Sequence, residues 1–303
     1  MKQSIINYET RITAFIDILG FKEMIKKSDE NSDNIQLIIE ILEFLKTWES
    51  PEKWDLRFIK AESDTCKKGI NFFEHKENIN VTTFSDSIVI SIKVDNNENE
   101  IMSTLISYLA YIGAVLIKKG ILIRGGMTIG RLIHNDNGTV FGPAFIEAYQ
   151  LESVNAKFPR IILSNKLVEK LNYPIYNDAN RYPYHQYIKR FDDGCVGFHQ
   201  MKYYQVLQNS PDLSKDELTS SLERIRQTII RGLDLSFEDP EVFLKYKWLK
   251  RQYNRLLILN ESDEEQFPKI KELNPKITDG NIHYQYTDDF YNSQKIDNSK
   301  KCK

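Results

Sequence analysis

Cysteine is scarce in this chain, and its scarcity closes off two kinds of architecture. Only Cys66, Cys195 and Cys302 occur among 303 residues. Their number is odd and no CxxC pair is present, so neither a disulfide framework nor a cysteine-rich zinc site is expected. The five histidines, His75, His134, His185, His199 and His283, follow no metal-ligand spacing. Charge of one sign is missing too: the formal net charge is -2, which gives no electrostatic ground for a nucleic-acid partner or an anionic membrane surface. No apolar run is read as reaching the roughly 18 residues of a membrane-spanning helix, and the opening "MKQSIINYETR" is too polar for a secretory leader. These absences lead to the expectation of a cytoplasmic protein with neither membrane nor nucleic acid among its partners.

What is present is an ordinary globular composition, 41% hydrophobic and 28% charged, on a chain long enough for one substantial domain with additions. Residues 12–19 read as a strand that turns at Gly20. Ile35, Ile38, Ile39, Leu42 and Leu45 recur at helical spacing and predict an amphipathic helix over about 32–48. The polar stretch 49–78 reads as loop. "INVTTFSDSIVISI" is β-branched and partly alternating, as a strand or hairpin over 79–92 requires. Ile101, Leu105, Tyr108, Leu109, Ile112 and Leu116 mark a second helix, stopped by Gly120. Residues 121–134 read as a strand pair, "NDNG" as a hairpin turn and "TVFG" as its return strand. Pro143 suits the first turn of a helix over 143–155. "RIILS" is a further strand, and Ser164 is placed to cap the helix "NKLVEKL". The succession predicts the α/β class, an α+β sandwich of ferredoxin-like type, over residues 1–205. Helical patterns predict an appended extension over 206–260, and the charged, Asn-rich 261–303 predicts a flexible tail.

Two of these strands carry an unexpected acid. "TAFIDILGF" places Asp17 inside an apolar run, and "TTFSDSIVISI" repeats the arrangement with Asp86. Taken singly, Asp17 reads as a strand-end residue and Asp86 as a hairpin tip. Taken together they are costly, because ionised carboxylates within a sheet need compensation and neighbouring acids repel. A hard divalent cation held by oxygens resolves both problems, and Mg²⁺ or Mn²⁺ keeps positions open for phosphate. The backbone around Ile18, Leu19 and Gly20, at a strand-to-helix turn, offers N–H groups suited to the same phosphates.

"FIDILGF" resembles the first metal-binding motif of the class III nucleotidyl cyclases, and "FSDSIV" stands where that family has its second metal aspartate. "IRGGMTIGRLIHNDNGTVFGPAFIEAYQLES" resembles the strand, hairpin and dimer-facing helix that follow, and "PRIILS" the next strand. The likeness runs in order over about residues 12–205. "AFIDILGF", "TFSDSIVIS", "RGGMTIG" and "AYQLES" together are most similar to the bacterial pyrimidine cyclases of the Pycsar antiphage system. The resemblance implies two Mn²⁺ or Mg²⁺ ions on Asp17 and Asp86, with the Ile18 carbonyl as a further ligand. It implies substrate contacts from Phe15, Ile18, Leu19, Gly20 and Phe21, and a homodimer with its active sites between subunits. It also implies a cyclic nucleotide that acts on a separate effector.

Several positions depart from the family pattern. The lysine and aspartate with which purine cyclases read the base are replaced by Thr82 and Thr139, hydroxyls that suit a pyrimidine edge or simply a strand. The family's transition-state asparagine and arginine fall on Ile146 and Gln150, neither of which supplies positive charge. Arg124, Arg160, Lys189 and Arg190 are the candidates to replace it, with Arg124 taken as catalytic. The expected activity is uridylate cyclisation, UTP to cyclic UMP and pyrophosphate. Cytidylate or purine cyclisation and a non-catalytic cyclase-shaped module stand as alternatives. A nuclease or polymerase palm would need adjacent acids or a basic groove, and neither is visible.

Overall fold

Strict alternation makes the first strand two-faced. Ile12, Ala14, Ile16 and Ile18 point one way, and Arg11, Thr13, Phe15 and Asp17 the other. In the computed structural model these residues form β1 (Glu9–Ile18), the second-from-centre strand of the sheet. The structure describes residues 7–29, 31–47, 78–94, 98–171, 173, 183–207, 214–236, 238–258, 270–272, 276–278, 281–283 and 286–287.

Gly20, at φ 80°, ends the strand and opens α1 (Phe21–Ser28), followed by α2 (Ser32–Thr47). The hairpin β2 (Ile79–Phe84) and β3 (Ser87–Lys93) comes next, then α3 (Glu98–Lys118) and β4 (Ile123–His134). β3 and β4 flank β1 and both run antiparallel to it, and β2 pairs β3 on the outside. This β-αα-β-β-α-β succession with spatial order β2-β3-β1-β4 is the ferredoxin-like arrangement. The predicted fold class is therefore observed. β5 (Val140–Phe141) folds back on β4, α4 (Pro143–Gln150) runs into a π-helical turn over Leu151–Asn155, and β6 (Ile161–Leu163) adds parallel to β4. Ser164 accepts from the Leu167 amide at 3.3 Å and caps α5 (Asn165–Lys170), as its position suggests. β7 (Lys189–Arg190) and β8 (Val196–Phe198) complete the sheet, and α6 (Lys202–Leu207) follows.

The chain divides into two compact units, Met1–Leu116 with Ile121–Asp212, and Ile117–Gly120 with Leu213–Lys303. The second holds α7 (Lys215–Leu235) and α8 (Pro240–Ile258), packed on each other. Gly232 makes room for the Tyr246 ring there, a close approach that a Cβ would block. Within the expected tail, β9 (Lys271–Glu272) pairs β12 (Tyr286–Thr287), and β10 (Lys276–Thr278) pairs β11 (Asn281–His283).

Several expectations need correcting. Residues 121–134 are not a strand pair: β4 is one strand, because Gly125 and Gly126 give its backbone the clearance to pass under β1, β6 and the helix above. α3 contains an 18-residue stretch, Ile101–Lys118, long and apolar enough to cross a membrane. That stretch is 82% buried, and Ile101, Leu105, Ile106, Leu109, Ile112 and Leu116 are all at most 1% exposed, so it packs as a core helix. Tyr184, in the short turn Pro183–Gln186, and Tyr187 just after it are fully buried. The loop expected over 49–78 lies outside the described residues apart from Asn78.

Gly126 is one of the tightest points of this architecture. A Cβ there would meet the Ala148 carbonyl oxygen and the Leu151 side chain, and stand 3.0 Å from the Glu152 amide. Gly126→Ala is expected to lower stability by about 1–3 kcal/mol through forced displacement of α4 and the π turn. Urea denaturation monitored by circular dichroism measures the loss.

Candidate active site

The register of three strands gathers the polar residues at one end of the sheet. Asp17 is opposite Ser87 on β3 and opposite Arg124 on β4. Asp86 is not within a strand: it is in the two-residue turn between β2 and β3, where Ser85 takes φ 53°. The Asp86 carbonyl accepts from the Ile18 amide at 3.1 Å, which fastens the hairpin tip to the end of β1. The two acids are thereby neighbours, close enough that the charge of Asp86 raises the pKa of Asp17. Burial raises it further, and Arg124 opposes both effects without cancelling them. Ser87 Oγ and Arg124 Nε donate to Asp17 only at the long distance of 3.4 Å each.

A third carboxylate belongs to this cluster and was not anticipated. Glu152, 3% exposed, lies 2.5 Å from Arg124 Nε. Burial first, then the charges of Asp17 and Asp86, push its pKa up to about 7 against the pull of Arg124. It sits in the π turn, a local widening of the helix that often accompanies functional positions. One signal in the sequence could have found it. Ala144 and Ala148 are both fully buried, and Glu152 is the next residue in the same i, i+4 stripe.

The other predicted residues are placed as follows. Phe15 is 7% exposed and packs edge-on against Phe145 and Tyr149, so α4 covers it and it presents nothing to a ligand. The Leu19 amide donates to the Leu122 carbonyl at 2.8 Å and the Ile18 amide to Asp86. Both are therefore unavailable as phosphate donors, contrary to expectation. The amides of Gly20 and Phe21, at the uncapped start of α1, have no backbone acceptor among the described residues. Thr139 is exposed beyond the β4–β5 turn, whereas Thr82 is 8% exposed and bonds His134 Nε2 at 2.9 Å.

A chain of hydrogen bonds leads to that threonine. Arg11 donates to Ser91 Oγ at 3.0 Å, and Ser91 Oγ meets His134 Nδ1 at 2.8 Å. Burial, and then Arg11, hold the pKa of His134 down to about 4, so the ring is neutral. Arg11 donates into Ser91 Oγ, and the tautomer of the neutral ring sets which of Ser91 and Thr82 donates to it.

Of the candidate cations, only Arg124 is at the acids. Arg160 is 1% exposed, paired with Asp193 and stacked on Phe158 and Phe191. Lys189 lies over Phe191, and Arg190 donates to the Gly194 carbonyl at 2.8 Å. Ile146 and Gln150 are exposed on α4 and supply no charge. Asp17 and Glu152 pair with one guanidinium and both feel the charge of Asp86, a surplus of acidic oxygens that fits a hard divalent cation. Among the described residues no group of three or more His, Cys, Asp or Glu side chains is gathered tightly enough to hold a metal, so the fit rests on the two aspartates.

No protein-family model matches the chain, and no curated protein matches it. Among solved structures, the crystal structure of the guanylyl cyclase Cya2 is similar to part of it, at 14% identity and a TM-score of 0.31, over 54% of this chain and 78% of that one. A likeness so slight carries no weight in assigning a role.

Glu152 makes stability depend on pH in a defined direction. It ionises near 4.5 when unfolded and near 7 when folded, so the folded state holds its proton more tightly. Its contribution is complete below about pH 4.5 and is lost as pH rises through 7, a loss of about 3 kcal/mol. Urea denaturation in metal-free buffer between pH 5 and 8 is expected to show this decline, and Glu152→Gln is expected to flatten it.

Proposed function

We propose that this chain is a metal-dependent nucleotidyl cyclase that converts UTP to 3′,5′-cyclic UMP and pyrophosphate. The observation that carries the reading is the meeting of Asp17 and Asp86 at the end of β1, beside Arg124 and an uncapped helix N-terminus. Two Mn²⁺ or Mg²⁺ ions would be held by Asp17, Asp86 and the Ile18 carbonyl. When bound they neutralise triphosphate charge and acidify a ribose hydroxyl. In the reaction the 3′-oxygen bonds to the α-phosphorus as the bond to the β-phosphate oxygen breaks, and the hydroxyl proton leaves to water. Arg124 and the amides of Gly20 and Phe21 are the chain's own donors to the departing pyrophosphate.

The substrate follows from what reads the base. No charged side chain stands at Thr82 or Thr139. The Thr82 hydroxyl can donate to a carbonyl, as uracil presents, or accept from the amine of cytosine, and UTP is taken as the first substrate. CTP is the runner-up. A homodimer is supported by the outer face of α4 and the turn after it, where Ile146, Tyr149 and Val154 are 57%, 49% and 63% exposed. The product would serve as a second messenger in antiphage defence, acting on a separate effector in the cytoplasm.

A second reading has an observation of its own. With Ile146 and Gln150 in place of charged groups, and Arg124 already bonded to two acids, the cluster also suits a non-catalytic nucleotide-binding module.

Incubation of the full chain with each of the four nucleoside triphosphates and Mn²⁺, with products identified by mass, separates the readings. Cyclic UMP with pyrophosphate is expected, and Asp17→Ala and Asp86→Ala are each expected to lower its formation by at least about a hundredfold. Binding without turnover supports the module.

A further inference from the structure

Arg124 meets both of its acids through a single nitrogen. Nε lies 2.5 Å from Glu152 Oε1 and 3.4 Å from Asp17 Oδ2, and among the described residues neither terminal nitrogen has a partner. The guanidinium is a quarter exposed, at 26% of its side chain. A free arginine beside an aspartate would close on it as a fork, with two parallel N–H bonds to the two carboxylate oxygens. Here it does not: the Nε–H is directed at Asp17 Oδ2, while Glu152 Oε1, which has no hydrogen-bond partner, sits against the same nitrogen as an ion pair.

Glu152 is itself immobilised. It is 3% exposed, its turn is closed by the Ala156 amide on the Leu151 carbonyl at 2.9 Å, and the backbone of that turn rests on Gly126. The arginine therefore takes its direction from the glutamate rather than the reverse.

We infer that Glu152 is a positioning residue: by anchoring Arg124 at Nε, it keeps the terminal N–H groups of the guanidinium open beside Asp17 and Asp86 as a receptor for a phosphate group of a triphosphate. The inference rests on the reading of this cluster as a triphosphate site. It adds that the receptor is assembled by the π turn, and that Asp17 stays available only while Glu152 competes for Arg124. Without Glu152 the guanidinium closes on Asp17, and the site loses a donor and a carboxylate together.

The test is a calorimetric titration of inorganic tripolyphosphate, with Mn²⁺ present, into the full chain. Glu152→Ala and Arg124→Ala are each expected to weaken binding about tenfold or more, while the double variant binds no more weakly than Arg124→Ala, because the two act as one unit. Glu152→Gln keeps the shape of the side chain but removes the charge that pairs with Nε, and is expected to weaken binding about as much as Glu152→Ala, whereas a merely structural role would leave it parent-like. Arg124→Lys, which lacks the fork, is expected to behave like Arg124→Ala and serves if Glu152→Ala does not fold.

Parent-like binding by Glu152→Ala, additive losses in the double variant, or no tripolyphosphate binding by the parent each overturn the inference. If the binding pattern holds while none of the four nucleotides is cyclised, the positioning role stands and the cyclase reading falls. If cyclic nucleotide forms at unchanged KM and kcat in Glu152→Ala, the reverse is true.

Discussion

The ion pairs from Arg124 Nε to Glu152 and to Asp17 join the start of β4, the start of the π turn and the end of β1. Three acids and one guanidinium at a sheet edge leave an unbalanced charge. Its cost shows in the upward shifts of Asp17 and Glu152, both dominated by burial. Neutral side chains of similar volume would pack there at lower cost, as buried charge clusters commonly do when replaced. An added cation relieves the imbalance, and that need is the physical basis of the functional reading.

The architecture that brings the cluster together is economical in sequence terms. A ferredoxin-like sheet puts β1 in the middle, so one residue of β1 can face β3 and β4 simultaneously. Alternation then fixes which residue: Asp17 shares its face with Phe15, which α4 covers, and with Arg11, which reaches Ser91 and the His134 chain. The same face is apolar beneath the helix and polar at both ends. Gly126 is what allows α4 and its π turn to come down far enough for Glu152 to reach β4.

Much of this was legible from local pattern. The strand alternation, the helical spacing of α2 and α3 and the cap at Ser164 all follow from residues a few positions apart, where propensity and periodicity act. The errors arise where distant groups decide. Thr82 reads as an open hydroxyl until His134, 52 residues away, is found bonded to it. The Ile18 and Leu19 amides read as free donors until the hairpin tip and Leu122 are seen to take them. Glu152 looks like an ordinary helical acid because the widened turn that buries it is set by a glycine on another strand. Ser103, Ser107 and Gly113 interrupt the apolar run of α3, although its composition over 18 residues is apolar enough to span a membrane.

The most direct test of the charge argument is a Mn²⁺ titration of the full chain followed by electron paramagnetic resonance of the free ion, with and without UTP. The account expects Mn²⁺ to bind in the presence of nucleotide at two ions per chain, and expects Asp17→Asn or Asp86→Asn to abolish that binding. Equal Mn²⁺ binding by the parent and both variants, or none by the parent, would contradict it.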